Sequence, residues 1–123
     1  MAIKINTEKR IFTLETKHTM YQMQADTYGV LRHLWYGAKT GCDMSYLQDY
    51  PDVGFSGNPH DAGNDRTYSL DTLPLEYAGA GIGDFRVPAV EAVHADGSCA
   101  LDLRYYSHAV KQGKYAIAGL PAL

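Results

Sequence analysis

A chain of 123 residues that is 46% hydrophobic and 20% charged has the composition of one globular domain with a modest core. Its formal net charge of −3 supplies no basic field, which argues against nucleic acid as a partner. No apolar run approaches the roughly 18 residues of a membrane span, so no membrane-crossing helix is expected. The count of 10 Tyr and 3 Phe in so short a chain favours strands, where aromatic rings fit a pleated surface.

In chain order, Met1 to Asn6 has no apolar h-region and is not expected to be a secretory signal. Arg10 to Thr16 alternates Phe12 and Leu14 against Ile11, Thr13 and Glu15, the pattern of a half-buried strand. Thr19 to Ala25 sets Tyr21 and Met23 on one face and Gln22 and Gln24 on the other. Asp26-Thr-Tyr-Gly29 reads as a turn, with Gly29 free to take a positive φ. Val30 to Tyr36 is a third strand, with Val30, Leu34 and Tyr36 opposed to Leu31, His33 and Trp35. Three such segments in a row predict an antiparallel meander. Asp43 to Tyr50 can hold a turn or two of helix with Asp43 as its cap.

Residues 54–74 form a turn-rich stretch carrying His60, Asp61, Asn64, Asp65 and Arg66, followed by an apolar segment. Hydrogen-bonding side chains on a loop beside a rigid scaffold are where binding groups are commonly found. Arg66 stands at the junction of loop and scaffold, and its guanidinium can bind vicinal hydroxyls or a carboxylate bidentately. The structural alternative is that Arg66 pairs with Asp65 or Asp61 and orders the loop. Further on, Asp96-Gly97 between the strand-like runs Phe85 to His94 and Ser98 to His108 predicts a hairpin, with Pro88 at an edge or bulge. A last apolar run starts at Tyr115. The apolar Gly119 to Leu123 is expected to be an interruption, so the chain is expected to be a piece of a longer protein. Many short strands with Gly- and Asp-rich turns predict an all-β antiparallel sandwich.

Complete active-site motifs are absent. Gly79-Ala-Gly-Ile-Gly83 lacks the spacing of a dinucleotide loop and reads as a flexible connection. Asp61, Asp65 and Asp71 do not fit a calcium loop, because position three from Asp61 is Gly63 and position twelve is Thr72. The five histidines show no zinc spacing, and Cys42 and Cys99 read as two reduced thiols of a cytosolic protein. No metal, cofactor or catalytic residue is therefore expected in this chain.

Several motifs together resemble the N-terminal part of family 36 α-galactosidases. They are Phe55-Ser-Gly-Asn-Pro, Asn64-Asp-Arg-Thr-Tyr-Ser-Leu-Asp-Thr-Leu-Pro, Glu76-Tyr, Gly83-Asp-Phe-Arg and Pro88-Ala. Tyr21-Gln-Met-Gln, Tyr28-Gly, Leu31 to Gly37, Asp96-Gly-Ser, Leu101-Asp-Leu-Arg-Tyr and Lys111 to Ala122 extend the likeness over nearly the whole chain. The resemblance implies a galactose-mutarotase-like β-supersandwich, of which residues 1–123 are the first part. It also implies a (β/α)₈ barrel and a C-terminal β-sandwich that this chain lacks. The barrel of such enzymes holds two aspartates that hydrolyse terminal α-1,6-galactosyl residues of melibiose, raffinose and stachyose with retention. This chain alone is then expected to be inactive.

The same resemblance implies a cytoplasmic homotetramer in which N-terminal loops reach over a neighbouring subunit's sugar pocket. On matching positions, Asp52 would accept from sugar hydroxyls and Arg66 would donate, while Asn64 and Asp65 shape the loop or add contacts. Trp35 is a weaker candidate for an aromatic platform, a core role being the alternative. The competing class is a stand-alone carbohydrate-binding or interaction module.

Overall fold

A computed structural model describes residues 2–48, 50, 52, 60–113, 119 and 120. The apolar run from Tyr115 to Ala118, the Phe55-Ser-Gly-Asn-Pro motif and the side chain of His60 lie outside those residues. Four strands, β1 (Ala2–Asn6), β2 (Ile11–Glu15), β3 (Thr19–Ala25) and β4 (Leu31–Ala38), form one antiparallel sheet in the order β1-β2-β3-β4. The all-β antiparallel architecture expected from the sequence is the one observed. The meander has one strand more than predicted, because Ala2–Asn6 pairs along β2 with Ile3 opposite Leu14 and Ile5 opposite Phe12. Its alternation of Ile3 and Ile5 with Lys4 is too short to stand out beside an adjoining turn.

Contrary to the half-buried reading, β2 is covered on both faces, with Ile11, Phe12, Thr13 and Glu15 all buried. On one face, Ile11, Met20, Leu34 and Met44 make a cluster against which Trp35 packs. On the other, the ring of Phe12 meets Tyr105 at 5.7 Å and His108 at 4.9 Å between centroids. Gln22 lies in the first of these faces and is buried. Its amide is fully used: Nε2 donates to Thr13 Oγ1 and to the Cys42 carbonyl at 3.0 Å each, and Oε1 accepts from the Met44 N–H at 3.0 Å. A polar side chain so satisfied can be buried at little cost.

The strict alternation predicted for β4 fails at one place. Gln22 pairs with Trp35 and Met23 with His33, so Leu34 is the extra residue of a bulge. Leu34 and Trp35 then serve the same cluster instead of facing opposite ways. Beyond β4, a one-turn 3-10 helix spans Ser45–Leu47, and Asp43 accepts the Ser45 N–H at 2.9 Å just ahead of it.

The predicted hairpin is half formed. Its turn closes, with the Gly97 N–H on the His94 carbonyl and the His94 N–H on the Ser98 carbonyl, both at 2.9 Å. The arms do not ladder with each other, and no strand is assigned to residues 85–108. Instead Ala78 to Ala80 runs between them: the Ala89 N–H reaches the Ala78 carbonyl, and the Leu101 N–H reaches the Ala80 carbonyl, at 2.9 Å each. The glycine-rich stretch is thus a packed seam and not a flexible connection. A Cβ on Gly79 would stand 2.6 Å from the Leu101 carbonyl oxygen, and one on Gly81 would stand 2.8 Å from Ala100 Cα. Only residues without a side chain let the arms approach so closely.

Candidate functional site

The loop that carries the sequence-predicted site is rooted in a second core. Val30, Ala62, Tyr68, Leu70 and Leu73 form one buried cluster, with Tyr28, Leu75 and Ile82 packed against it. Ala62 and Tyr68 lie on either side of the polar residues 63–66, so burial fixes both flanks of a short exposed segment. A 3-10 turn over His60–Ala62 leads into it, and Gly63 takes a φ of 56° to reverse the chain. The Asp65 N–H then donates to the Ala62 carbonyl at 3.0 Å, and the Tyr68 N–H to the Asp65 carbonyl at 3.2 Å.

Asp65 spends its side-chain hydrogen bonds within the loop. Its Oδ1 accepts from the Thr67 N–H at 3.0 Å and from the Thr67 hydroxyl at 2.6 Å. Those hydrogen bonds, the side-chain one foremost, hold its carboxyl below the ordinary aspartate range. Asn64 is exposed at the apex beside it. Arg66 pairs with neither Asp65 nor Asp61 among the described contacts. Its Nε meets Asp52 Oδ1 at 3.1 Å, which joins the two foremost sequence candidates across fourteen positions of chain. Both side chains are about half exposed (59% and 52%), and a pair so placed is worth about 0–1 kcal/mol. The pair is therefore presented by the scaffold more than it supports the scaffold. A guanidinium carries five N–H donors and a carboxylate accepts through two oxygens. Side by side, the two groups offer donors and acceptors suited to adjacent hydroxyls.

Asp61, the other partner weighed for Arg66, goes elsewhere: its Oδ2 meets Arg104 Nη2 at 3.1 Å. Trp35 belongs to the sheet cluster and not to the core that roots this loop; it is partly buried, and its Nε1 donates to the Ala38 carbonyl at 3.3 Å. Beside the loop lies a polar cavity of about 310 Å³, bordered by Thr27, Arg32, Gln48, Tyr50, Asp65 and Thr67.

Two sets of supporting residues escaped the sequence reading. Asp26, nearly fully buried, accepts from the N–H groups of Tyr28 and Val30 at 2.9 Å each and from the Tyr68 hydroxyl at 2.5 Å. Burial first, and then the Asp26 carboxylate, push the Tyr68 phenol well above its usual pKa. The second set is Asp84 and Arg86. Arg86 donates to the Leu73 carbonyl at 2.8 Å and the Leu70 carbonyl at 2.6 Å, while buried Asp84 holds its Nε at 2.9 Å. The signals were Asp ahead of a tight turn and the Asp-Phe-Arg triplet, but neither names its distant partner. Among the described residues no group of three or more His, Cys, Asp or Glu side chains could hold a metal ion. Cys42 and Cys99 are free and exposed, and no helix is long and apolar enough to cross a membrane among the described residues.

Comparison with known proteins places this geometry in context. A family model described as the glycosyl hydrolase family 36 N-terminal domain matches residues 29–123. The bifunctional alpha-galactosidase/sucrose kinase AgaSK of Mediterraneibacter gnavus is 52% identical over 123 residues, covering 100% of this chain and 13% of that protein. The solved galactosidase domain of AgaSK superposes with a TM-score of 0.92 over 98% of this chain and 17% of that one. Alpha-galactosidase Mel36A of Lactobacillus acidophilus is 40% identical over 121 residues, covering 97% of this chain and 16% of that protein. A solved variant of the alpha-galactosidase AgaA from Geobacillus stearothermophilus in complex with raffinose superposes with a TM-score of 0.80 at 38% identity, over 91% of this chain and 16% of that one. This chain therefore spans well under a fifth of the length of each of these relatives.

Proposed function

The chain belongs to the glycosyl hydrolase family 36 N-terminal domain family, and on that premise we propose that it is the leading part of the β-supersandwich of a longer retaining α-galactosidase. The whole protein hydrolyses terminal α-1,6-galactosyl residues of melibiose- and raffinose-type sugars in the cytoplasm. Its two catalytic aspartates belong to a barrel outside these 123 residues, one attacking the anomeric carbon and one serving as acid and then base. The part described here supplies no catalytic group. Its work is assembly, as part of a tetramer, and completion of a neighbouring subunit's sugar pocket.

The observation that carries this reading is the exposed Asp52–Arg66 pair, 3.1 Å apart, with Arg66 on a loop whose flanks are buried. Asp52 accepts from one sugar hydroxyl while Arg66 donates to its neighbour, and Asn64 and Asp65 hold the loop that presents them. A galactoside is uncharged, so a pair whose charges already offset one another suits it better than a lone cation would. The polar cavity of about 310 Å³ beside Asp65 and Thr67 adds hydroxyl and carboxylate groups to the same region. Support for α-galactoside oligosaccharides as the ligand class comes from the AgaA relative described with raffinose.

Replacing Arg66 by Ala in the full-length protein tests the reading. Loss of one charged contact to a hydroxyl should raise KM for raffinose by about tenfold while the protein stays folded. Unchanged kinetics in a folded Arg66→Ala variant would remove Arg66 from the substrate pocket.

A further inference from the structure

The loop from Asp61 to Tyr68 is tied at both ends to a single four-residue turn. At its far end the Tyr68 hydroxyl donates to Asp26 Oδ2 at 2.5 Å. At its near end Asp61 meets Arg104 Nη2 at 3.1 Å. Arg104 in turn donates through Nη1 to the Tyr28 carbonyl at 2.8 Å, and the Tyr105 N–H donates to the Gly29 carbonyl at 2.7 Å. Asp26, Tyr28 and Gly29 lie in the turn between β3 and β4, so the sheet, the Arg104–Tyr105 segment and the loop meet there. The turn is itself braced: Asp26 Oδ1 accepts from the N–H groups of Tyr28 and Val30, the Gly29 N–H donates to the Asp26 carbonyl at 3.1 Å, and Gly29 takes a φ of 80°.

We propose that Tyr68, through Asp26, and Asp61, through Arg104, are positioning residues that fix where the loop presents Arg66. This rests on the reading that Arg66 contacts sugar. Arg66 is two residues from the first anchor and five from the second, and its own partner, Asp52, is exposed. An exposed pair cannot set the loop's position by itself. The buried bond to Asp26 can, because breaking it takes the hydroxyl from a buried carboxylate oxygen and leaves it only the longer contact with Arg32 Nε at 3.5 Å. The Tyr68 ring also packs edge-on to Tyr28 with centroids 4.7 Å apart, so the hydroxyl can be removed without removing the packing.

The experiment uses the full-length protein, with kcat and KM for raffinose measured for Tyr68→Phe, Asp61→Ala, Arg66→Ala and each anchor variant combined with Arg66→Ala. Tyr68→Phe should raise KM by about fivefold and leave kcat within about twofold, because a misplaced binding group costs ground-state and transition-state contacts alike. Asp61→Ala should act in the same direction and more weakly. On the Arg66→Ala background neither anchor variant should add anything, since no guanidinium remains to be placed. A purely structural role would lower the melting temperature and leave KM of the folded protein unchanged; that result overturns the proposal, as does full additivity with Arg66→Ala. If Arg66→Ala raises KM and neither anchor variant does, the anchors fail and the sugar contact stands. If Arg66→Ala leaves KM unchanged, the sugar contact fails and the positioning role falls with it. Should Tyr68→Phe not fold, the exposed Asp61→Ala carries the test.

Discussion

At the scale of single residues, this chain places its polar side chains according to whether partners are within reach. Gln22 is buried because three partners surround its amide, and Glu15 is buried because Lys4 and Lys39 reach its two oxygens at 2.9 and 2.7 Å. Replacing Gln22 by Leu strands the Thr13 hydroxyl, the Cys42 carbonyl and the Met44 N–H, so it should cost about 1–3 kcal/mol in urea unfolding despite the more apolar side chain. Carboxylates held this way also set the acid limit. The hydrogen bonds from Lys39 and then Lys4 lower the Glu15 pKa, and that from Lys9 holds Asp43 at about 2. Each binds fewer protons folded than unfolded, so its contribution is complete above the ordinary carboxylate range and is lost as the pH falls through the folded value. Melting temperature should drop between about pH 4 and pH 2, more gently in Asp43→Asn, with the exposure of Asp43 keeping the difference small.

At the scale of elements, glycine separates two kinds of loop. Gly79 and Gly81 are needed for close approach to the arm at Ala100 and Leu101, whereas nothing lies within 4 Å of a Cβ on Gly97, which is needed only for its φ of 85°. Gly79→Ala should therefore destabilise by more than the roughly 1 kcal/mol that strain alone costs at Gly97. Hydrogen exchange should rise at the Leu101 amide and stay unchanged in β2 and β3, since the seam is local. Equal effects at Gly79 and Gly97 would mean that the packing at the seam carries little energy. The Asp26–Gly29 turn, the Tyr68 to Leu73 segment and the Asp84–Arg86 brace form a hydrogen-bonded frame at the root of the loop that carries Arg66. None of them touches the proposed ligand, yet their burial makes an exposed loop hold one shape.

At the scale of the whole molecule, the described residues carry several large apolar side chains that are exposed. Phe85, Val87, Val93 and Tyr106 are 82%, 90%, 76% and 96% exposed, and all lie in the segment that wraps the glycine seam. Such a surface is covered in a larger assembly or it associates. Light scattering on the 123-residue chain should show concentration-dependent self-association, and a strictly monomeric chain would argue against a role in assembly. The same preparation should release no nitrophenol from p-nitrophenyl α-galactoside, because the chain spans only 13% and 16% of its α-galactosidase relatives and the catalytic aspartates are proposed to lie outside it. Raffinose binding by that chain alone would instead favour the stand-alone carbohydrate module.

A resemblance of motifs over nearly the whole chain supplied the family, while local pattern determined what local pattern can: three of the four strands, the turn at Gly29, the short helical turn near Asp43 and the closure at Asp96-Gly97. Each rests on residues a few positions apart, where alternation and turn chemistry are read directly. Only the tertiary structure decided that β2 is covered on both faces, that Gln22 and Glu15 are buried, and that Ala78 to Ala80 parts the hairpin's arms. It alone brought Arg66 to Asp52 and Tyr68 to Asp26, forty-two positions away. The reason is physical: a hydrogen bond or a buried contact between distant residues leaves no periodicity in the chain, so it exists only once the chain has closed around it.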